Sequence, residues 1–334
     1  MTLRYSADRR TMAWALAMPL VALAPYAWPH LATWLWPVSC YLALSAGVIA
    51  HNHNHCQTFK NRRMNSIFGQ FLSVFYGYPT FAWVPTHNLN HHKFVNRAGD
   101  ATITWRYTND HHFPMAFAFP FISSVFQATP TNEYIRKAKA TKPALYREII
   151  RQYVVFVTLH LSLIALAVSL HGWGGGMKLW GLMFGIPAVF ALWTIMFFNY
   201  IQHVHTDPWS DHNHSRSFTG WGMNFLLFNN GLHTAHHETP GAHWSALPAL
   251  HKKLEAKIHP DLVQKDFWGW CARSYLLAPV FPSFGTKQIG RAPFDDSSLV
   301  NGLVTASVEA SESGTNAPRL TPLSGGGSRE LSAG

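Results

Sequence analysis

The sequence predicts an all-α integral membrane protein with about four transmembrane helices, interfacial helices and a cytoplasmic cap rich in histidine. Three observations predict it. Charged residues make up only 13% of the 334-residue chain, against about 25% in soluble domains. Apolar runs of membrane length recur. The 21 histidines outnumber the 16 acidic residues, and most of them cluster beside the ends of those runs.

A spanning helix needs about 20 mostly apolar residues. Four segments meet or approach this: 12–28, 31–50, 153–170 and 179–201. Pro19 and Pro25 interrupt the first, which membrane helices tolerate when neighbours satisfy the freed backbone groups. That run begins after Arg9 and Arg10 and continues into the second with no small-residue cleavage site, so it reads as a retained span and not a signal peptide. The stretches 67–84 and 113–126 are apolar but broken by Gly, Pro and polar residues. They read as interfacial or re-entrant.

Lys and Arg placement orients the spans. Arg4, Arg9 and Arg10 precede the first, and Lys60, Arg62 and Arg63 follow the second. Arg136, Lys137, Lys139, Lys142, Arg147 and Arg151 precede the third. The turns near Pro29–His30 and His171–Lys178 are nearly free of basic residues. Two hairpins therefore enter from one basic, cytoplasmic side, with both termini and every histidine cluster on it. The net charge of +10 sits at the ends of apolar segments and not in a stripe interleaved with aromatics. It matches an anionic membrane surface and excludes a nucleic-acid partner. Cys40, Cys56 and Cys271 are widely spaced, which excludes a disulfide framework and a CxxC metal site. Residues 1–292 read as the membrane domain. Residues 293–334, rich in Ser, Gly, Thr and Ala and containing "SGGGS", read as a disordered tail dispensable for chemistry.

The histidines carry the chemistry. In "AHNHNHCQTF" His51 and His55 share a helical face and His53 faces the other way. In "THNLNHH" His87 and His91 share a face, with His92 about 100° further round. "NYIQH" adds His203, and "HTAHH" places His233, His236 and His237 at i, i+3 and i+4. A lone histidine at a membrane rim is usually just solvated or hydrogen-bonded. Three clusters with two vicinal pairs on one side of the membrane outweigh that reading. These nine candidate ligands exceed what one metal binds, so two metals fit the count. Imidazole suits iron, copper, zinc and nickel alike. The carboxylates of Glu-x-x-His di-iron bundles are missing from the clusters. His30, His160, His171, His251 and His259 read as ordinary histidines; His53, His205, His212 and His214 are left open.

"HNHNHCQTF", "HNLNHH" and "HTAHH" resemble, in order, the three histidine boxes of the membrane fatty acid desaturase and hydroxylase superfamily: HxxxH, HxxHH or HxxxHH, and HxxHH. "NYIQH" resembles the further histidine placed shortly before the last box, which singles out His203. The resemblance covers roughly residues 12–290. The first box departs from the commoner HDCGH form at Asn52, His53 and Asn54. The resemblance implies two iron ions that activate O2 above an acyl-chain tunnel, and desaturation of a fatty acyl lipid. Hydroxylation and oxidative decarboxylation start from the same hydrogen abstraction, and the boxes do not separate them. No cytochrome b5 or ferredoxin-like segment is visible, so an external donor (ferredoxin, cytochrome b5 or a reductase) must supply electrons. Asp100, Asp207 and Glu238 beside the boxes are candidates to orient the ligand rings. Asn230 could orient, ligate or cap a helix. Two other classes fit less well. A b-type cytochrome usually needs paired histidines within spans, where only His160 lies well inside. A metal-binding transport protein or zinc hydrolase is the remaining class, but transport favours ionisable groups along the membrane interior, and here they gather at one rim.

Overall fold

The structure is a computed structural model and describes residues 2–295. The Ser/Gly-rich tail expected from residue 293 falls almost wholly outside the described residues. All but the last of these residues belong to one unit, which ends at Phe294.

Helix α1 (Asp8–Ala27) turns through Pro29–Leu31 into α2 (Ala32–His55). Small residues Ala43, Ala46 and Ala50 are buried along α2, which packs most extensively on α7 (Ile186–His203). Asn61 caps α3 (Arg62–Tyr76) by accepting from the Met64 amide, and Gly77 ends it in the left-handed region at φ 87°. A Cβ at Gly77 would collide with Ala188, so this turn is pinned against α7. A short turn leads into a π-helical segment, Val84–His91, that continues as α4 (His92–Phe94). Val95 and Asn96, both at positive φ, end it.

The stretch 113–126, read from sequence as broken, is the first half of one 29-residue helix, α5 (Phe113–Thr141). Pro114 occupies its first turn, where proline costs nothing. Pro120 and Pro130 lie inside it. Packing overrides their breaking tendency: Ala116, Phe119 and Pro120 are buried, and α5 packs on α7.

Helix α6 (Pro143–Trp180) is two rods meeting at Gly172, with φ 71° and ψ 171°. Gly176 lies back against the backbone of Ala167 and Val168, where a Cβ would sit only 2.5–2.6 Å away. His160 packs edge-on to Trp180 and Phe184, so the rods are antiparallel. A π-helical turn, Gly181–Gly185, joins the second rod to α7 (Ile186–His203). The hairpin tips meet at one end: Tyr26 Oη donates to the Leu163 carbonyl (3.2 Å), and His171 Nε2 donates to the Tyr26 carbonyl (2.9 Å). His51, His55 and His203 lie at the opposite helix ends.

The remainder caps that end. It comprises α8 (Trp221–Leu226), α9 (His233–Glu238), α10 (Leu247–Leu254) and α11 (Phe267–Ala272). A two-residue parallel pairing of Ser217–Phe218 with Val263–Gln264 ties it together. The start of α1 is bolted to the cap, because Asp8 accepts from Trp244 Nε1 (3.2 Å) and lies 3.2 Å from His243 Nε2. Among the described residues two helical runs are long and apolar enough to cross a membrane, Pro29–His55 and Pro143–His203. The second, at 61 residues, contains the Gly172 reversal. Helix α1, expected as a span, is not one of the two.

Candidate metal centre

Four elements carry the nine histidines to one place. The C-terminal turn of α2 supplies His51 and His55, and the π-helical segment with α4 supplies His87, His91 and His92. The end of α7 supplies His203, and α9 supplies His233, His236 and His237.

They sort into two groups, each with its ring nitrogens within 4.8 Å of one another. One contains His51, His55, His87, His92 and His236; the other contains His91, His203, His233 and His237. Helical spacing of 3.6 residues would pair His87 with His91. The π-helix, hydrogen-bonded i→i+5 and wider per turn than an α-helix, brings His92 round to the side of His87, and these two fall in one group and His91 in the other. In α9, ordinary i, i+4 spacing joins His233 with His237 and leaves His236 facing the first group.

In the first group Nε2 of His51 lies 2.8 Å from that of His87 and 3.1 Å from that of His236, while His87 and His236 are 3.4 Å apart. His92 Nε2 is 3.0 Å from both His87 and His236. In the second group His203 lies 3.1 Å from His91 and 2.9 Å from His233, and His237 lies 3.1 Å from His233. Burial first, then the neighbouring rings, pushes His87, His92, His233, His236 and His237 well below the ordinary 6.5. The rings are therefore neutral at pH 7 and offer lone pairs.

Mutual hydrogen bonding does not account for this packing. A neutral imidazole has one N–H, so three nitrogens in mutual contact leave lone pairs facing one another. His55 Nε2 is buried with no partner at all. A metal resolves both problems. Metal–imidazole bonds of about 2.1 Å at right angles put donor atoms about 3.0 Å apart, close to the separations observed. The residues present thus fit two metal ions held by nitrogen alone.

A cavity of about 330 Å³ is lined by His51 and His87 of one group and by His91 and His233 of the other. Val48, Trp83, Leu192, Ile195, Met196 and Phe198 form its apolar sides. Residues 26–268 match the family model described as Fatty acid desaturase. The chain belongs to the fatty acid desaturase family. Among curated proteins none matches it.

The desaturase-family chain fixes its rings from outside. His91 Nδ1–H donates to Asp100 Oδ2 at 2.8 Å, which turns Nε2 inward. Burial alone would raise the Asp100 carboxyl. The His91 ring, the Thr102 hydroxyl and the Asn96 amide outweigh it and hold the group at about 2. His203 Nδ1–H donates to the His214 carbonyl (3.0 Å) and His51 Nδ1–H to Asn52 Oδ1 (3.2 Å), with the same result. Asn54 donates to the Thr80 carbonyl, and Asn88 donates to the Asn54 carbonyl, each at 3.2 Å. Asn54 of the first box therefore joins α2 to the second box through Asn88.

The other residues singled out from sequence lie elsewhere. Asp207 accepts from the Trp209 amide (3.0 Å) and shapes a turn; no ligand ring reaches it. Glu238 accepts from His214 Nε2 (3.1 Å), and the His214 ring in turn sits edge-on to His237, 5.3 Å between centroids. Asn230 lines the cavity beside His233, and its carbonyl accepts from Gln202 (3.0 Å). It does not cap α9, whose cap position is Leu232. His53 turns away to Thr58 and Asn65. His205, at φ 57°, bonds Asn109 and Thr286 outside both groups.

Sequence reading missed Asn96, Thr102 and Asn199. Asn96 and Thr102 wrap the Asp100 carboxylate. Asn199 Nδ2 is 3.4 Å from His91 Nε2, and its side-chain oxygen is buried without a partner on the cavity wall. Its signal was available, since it lies four residues before His203 on one helical face.

Proposed function

We propose that the protein is an O2-dependent oxidoreductase that desaturates the acyl chain of a lipid, with His51, His55, His87, His92 and His236 around one iron and His91, His203, His233 and His237 around a second. One observation carries this reading: histidines of two all-nitrogen clusters line one largely apolar cavity. Iron bound there supplies an oxidant strong enough to attack an unactivated methylene, which side chains alone cannot provide.

The chain's own residues do the rest. The apolar walls Val48, Leu192, Ile195 and Met196 align an alkyl chain end-on to the histidines and keep water from it. Asp100, the His214 carbonyl and Asn52 hold the rings with their lone pairs inward, so the ligand field is set before substrate arrives. Neutral imidazoles leave the metal charge uncompensated, which favours a strong oxidant.

The basic flanks support a four-span arrangement with the histidine end and both termini cytoplasmic. Electrons come from a separate ferredoxin, cytochrome b5 or reductase. Hydroxylation and oxidative decarboxylation are alternative outcomes of the same site. Mass spectrometry of lipids from cells expressing the chain separates them. A product two hydrogens lighter than its parent is expected. A product gaining one oxygen would replace desaturation with hydroxylation, and a shortened 1-alkene would indicate decarboxylation.

A further inference from the structure

Each histidine group has a ring whose Nδ1–H is held by a neighbouring side-chain oxygen. His91 uses the Asp100 carboxylate, 2.8 Å away. His51 uses the amide oxygen of Asn52, 3.2 Å away. A neutral amide accepts less strongly than a carboxylate. It can also turn over and present N–H in place of oxygen. What fixes the far end of Asn52 therefore decides whether its oxygen stays on the ring.

That far end, Nδ2, is buried with no hydrogen-bond partner. Asn52 lines a small cavity of about 10 Å³ together with Asp8, the first residue of α1. Asp8 is only 2% exposed. Its Oδ1 is taken, accepting from the Thr11 hydroxyl (2.9 Å) and from Trp244 Nε1 (3.2 Å). Its Oδ2 is buried without a hydrogen bond. His243 Nε2 lies 3.2 Å from it but is likewise without one, so the two are out of line.

The other strongly polar side chains of the wall are spent. His53 Nε2–H donates to the Asn65 carbonyl (3.2 Å), which leaves Nδ1 to accept from the Thr58 hydroxyl (2.9 Å). Ile49, Phe228 and Trp244 close the cavity with apolar surface. A buried donor and a buried acceptor left unmade are costly, and here both belong to side chains lining one cavity. Its size is about that of a single water, which needs two to four polar partners.

We infer that this cavity binds one water linking Asn52 Nδ2 to Asp8 Oδ2, and that Asp8 is thereby a positioning residue for His51. A carboxylate only accepts, so the water gives its O–H to Asp8 and accepts from Asn52. Asn52 then turns Nδ2 toward the water and Oδ1 toward His51, which leaves the His51 Nε2 lone pair for the metal. Hydrogen bonds in such a chain polarise one another. Each group thus has one carboxylate behind it: Asp100 directly, Asp8 across one water and one amide. The inference rests on the two-iron reading above and adds to it a buried water site and a part for the first helix.

The test titrates the purified full chain with Fe2+ and needs no turnover. Asp8→Asn can offer the water an N–H and so lets Asn52 turn over. It should weaken one of the two irons about tenfold, within the usual cost of losing such a partner, and leave the other. Asn52→Leu should do the same. The exchange Asp8→Asn with Asn52→Asp puts a carboxylate directly on His51, as Asp100 is on His91, and should recover most of the loss. Thr11→Val removes a donor to Oδ1 alone; it should lower the thermal midpoint and keep both irons. Asp8→Asn binding both irons as tightly as wild type would overturn the relay. So would an exchange variant no better than Asp8→Asn, or Thr11→Val losing iron as Asp8→Asn does. If the Asp8 variants do not fold, Asn52→Leu and a high-resolution map of the wild type decide. Solvent density within hydrogen-bond distance of both Asn52 Nδ2 and Asp8 Oδ2 supports the site, and its absence overturns it. A wild type with that density but no iron would keep the water site and refute the two-iron reading.

Discussion

At His91 the contacts of Nδ1 with Asp100 and with the Thr102 hydroxyl decide which nitrogen faces the centre. Asp100 holds Nδ1–H at 2.8 Å and is itself gripped by the Asn96 amide, the Thr102 amide and the Thr102 hydroxyl. Asp100→Asn keeps the volume but removes the charge and one acceptor. Iron affinity or activity should fall by about 10–100-fold, the usual cost of losing such a partner, as metal titration of the purified variant would show; an unchanged affinity would mean the bond does not set the ligand. The buried rings also predict a pH dependence. Burial lowers His87, His92, His233, His236 and His237 below 6.5. Above 6.5 neither folded nor unfolded chain protonates them and they contribute nothing. Below it the unfolded chain binds protons that the fold resists, so stability must fall as the pH drops. The thermal midpoint of metal-free protein should decline from pH 7 to pH 5 and change little above 7; a midpoint rising toward pH 5 would contradict this. At this scale the sequence was readable where chemistry repeats, as in the boxes and in Asp100 nine residues after His91. It misled at Asp207, since closeness in sequence to His203 says nothing of where a turn directs a carboxylate.

Among the elements, the π-helical segment Val84–His91 matters most to the site. Its wider period is what separates His91 from His87 and His92. Deleting Leu89, which is 57% exposed and belongs to neither group, removes the extra residue and returns the segment to α-helical register. His91 and His92 would then no longer share the groups they now join. The deletion should cost iron from both groups, whereas Leu89→Ala should keep it; metal analysis of the two variants decides, and full iron in the deletion would show that the register is unimportant. Such a bulge is invisible to sequence periodicity, because it is stabilised by tertiary contacts such as those of Asn54 and Asn88 and not by local propensity. The same reason hid the continuity of α5 across Pro120. The Gly172 reversal was easier to read, since a glycine-rich stretch between apolar runs signals a turn.

Among the described residues the two ends of the long helices differ in what they gather. Hairpin tips meet around Tyr26 and His171, and the histidines gather at the other helix ends. If two hairpins enter from one basic side, a reporter at Gly174 and one after Pro282 should fall on opposite faces of the membrane, as differential protease or alkylation access would show. Both on one face would sink the four-span arrangement. The helical class and the convergence of distant boxes were legible, because span length and charge asymmetry place cluster ends together before any fold is known. The cap from Val204 to Gly285 was not legible. It is built from short helices and turns joined by contacts such as Asp8 with Trp244, more than 200 positions apart in the chain, which no local pattern encodes.

The central claim is that nine histidines hold two irons, and the measurement that tests it most directly is the iron-to-chain ratio of purified wild type, His203→Ala and His205→Ala. His203 and His205 are two residues apart, yet only His203 meets a ligand group; His205 bonds Asn109 and Thr286. The wild type should carry about two irons, His205→Ala should keep them, and His203→Ala should lose at least the iron of its group. Iron retained in His203→Ala and lost in His205→Ala, or a wild type that binds no iron, would contradict the account.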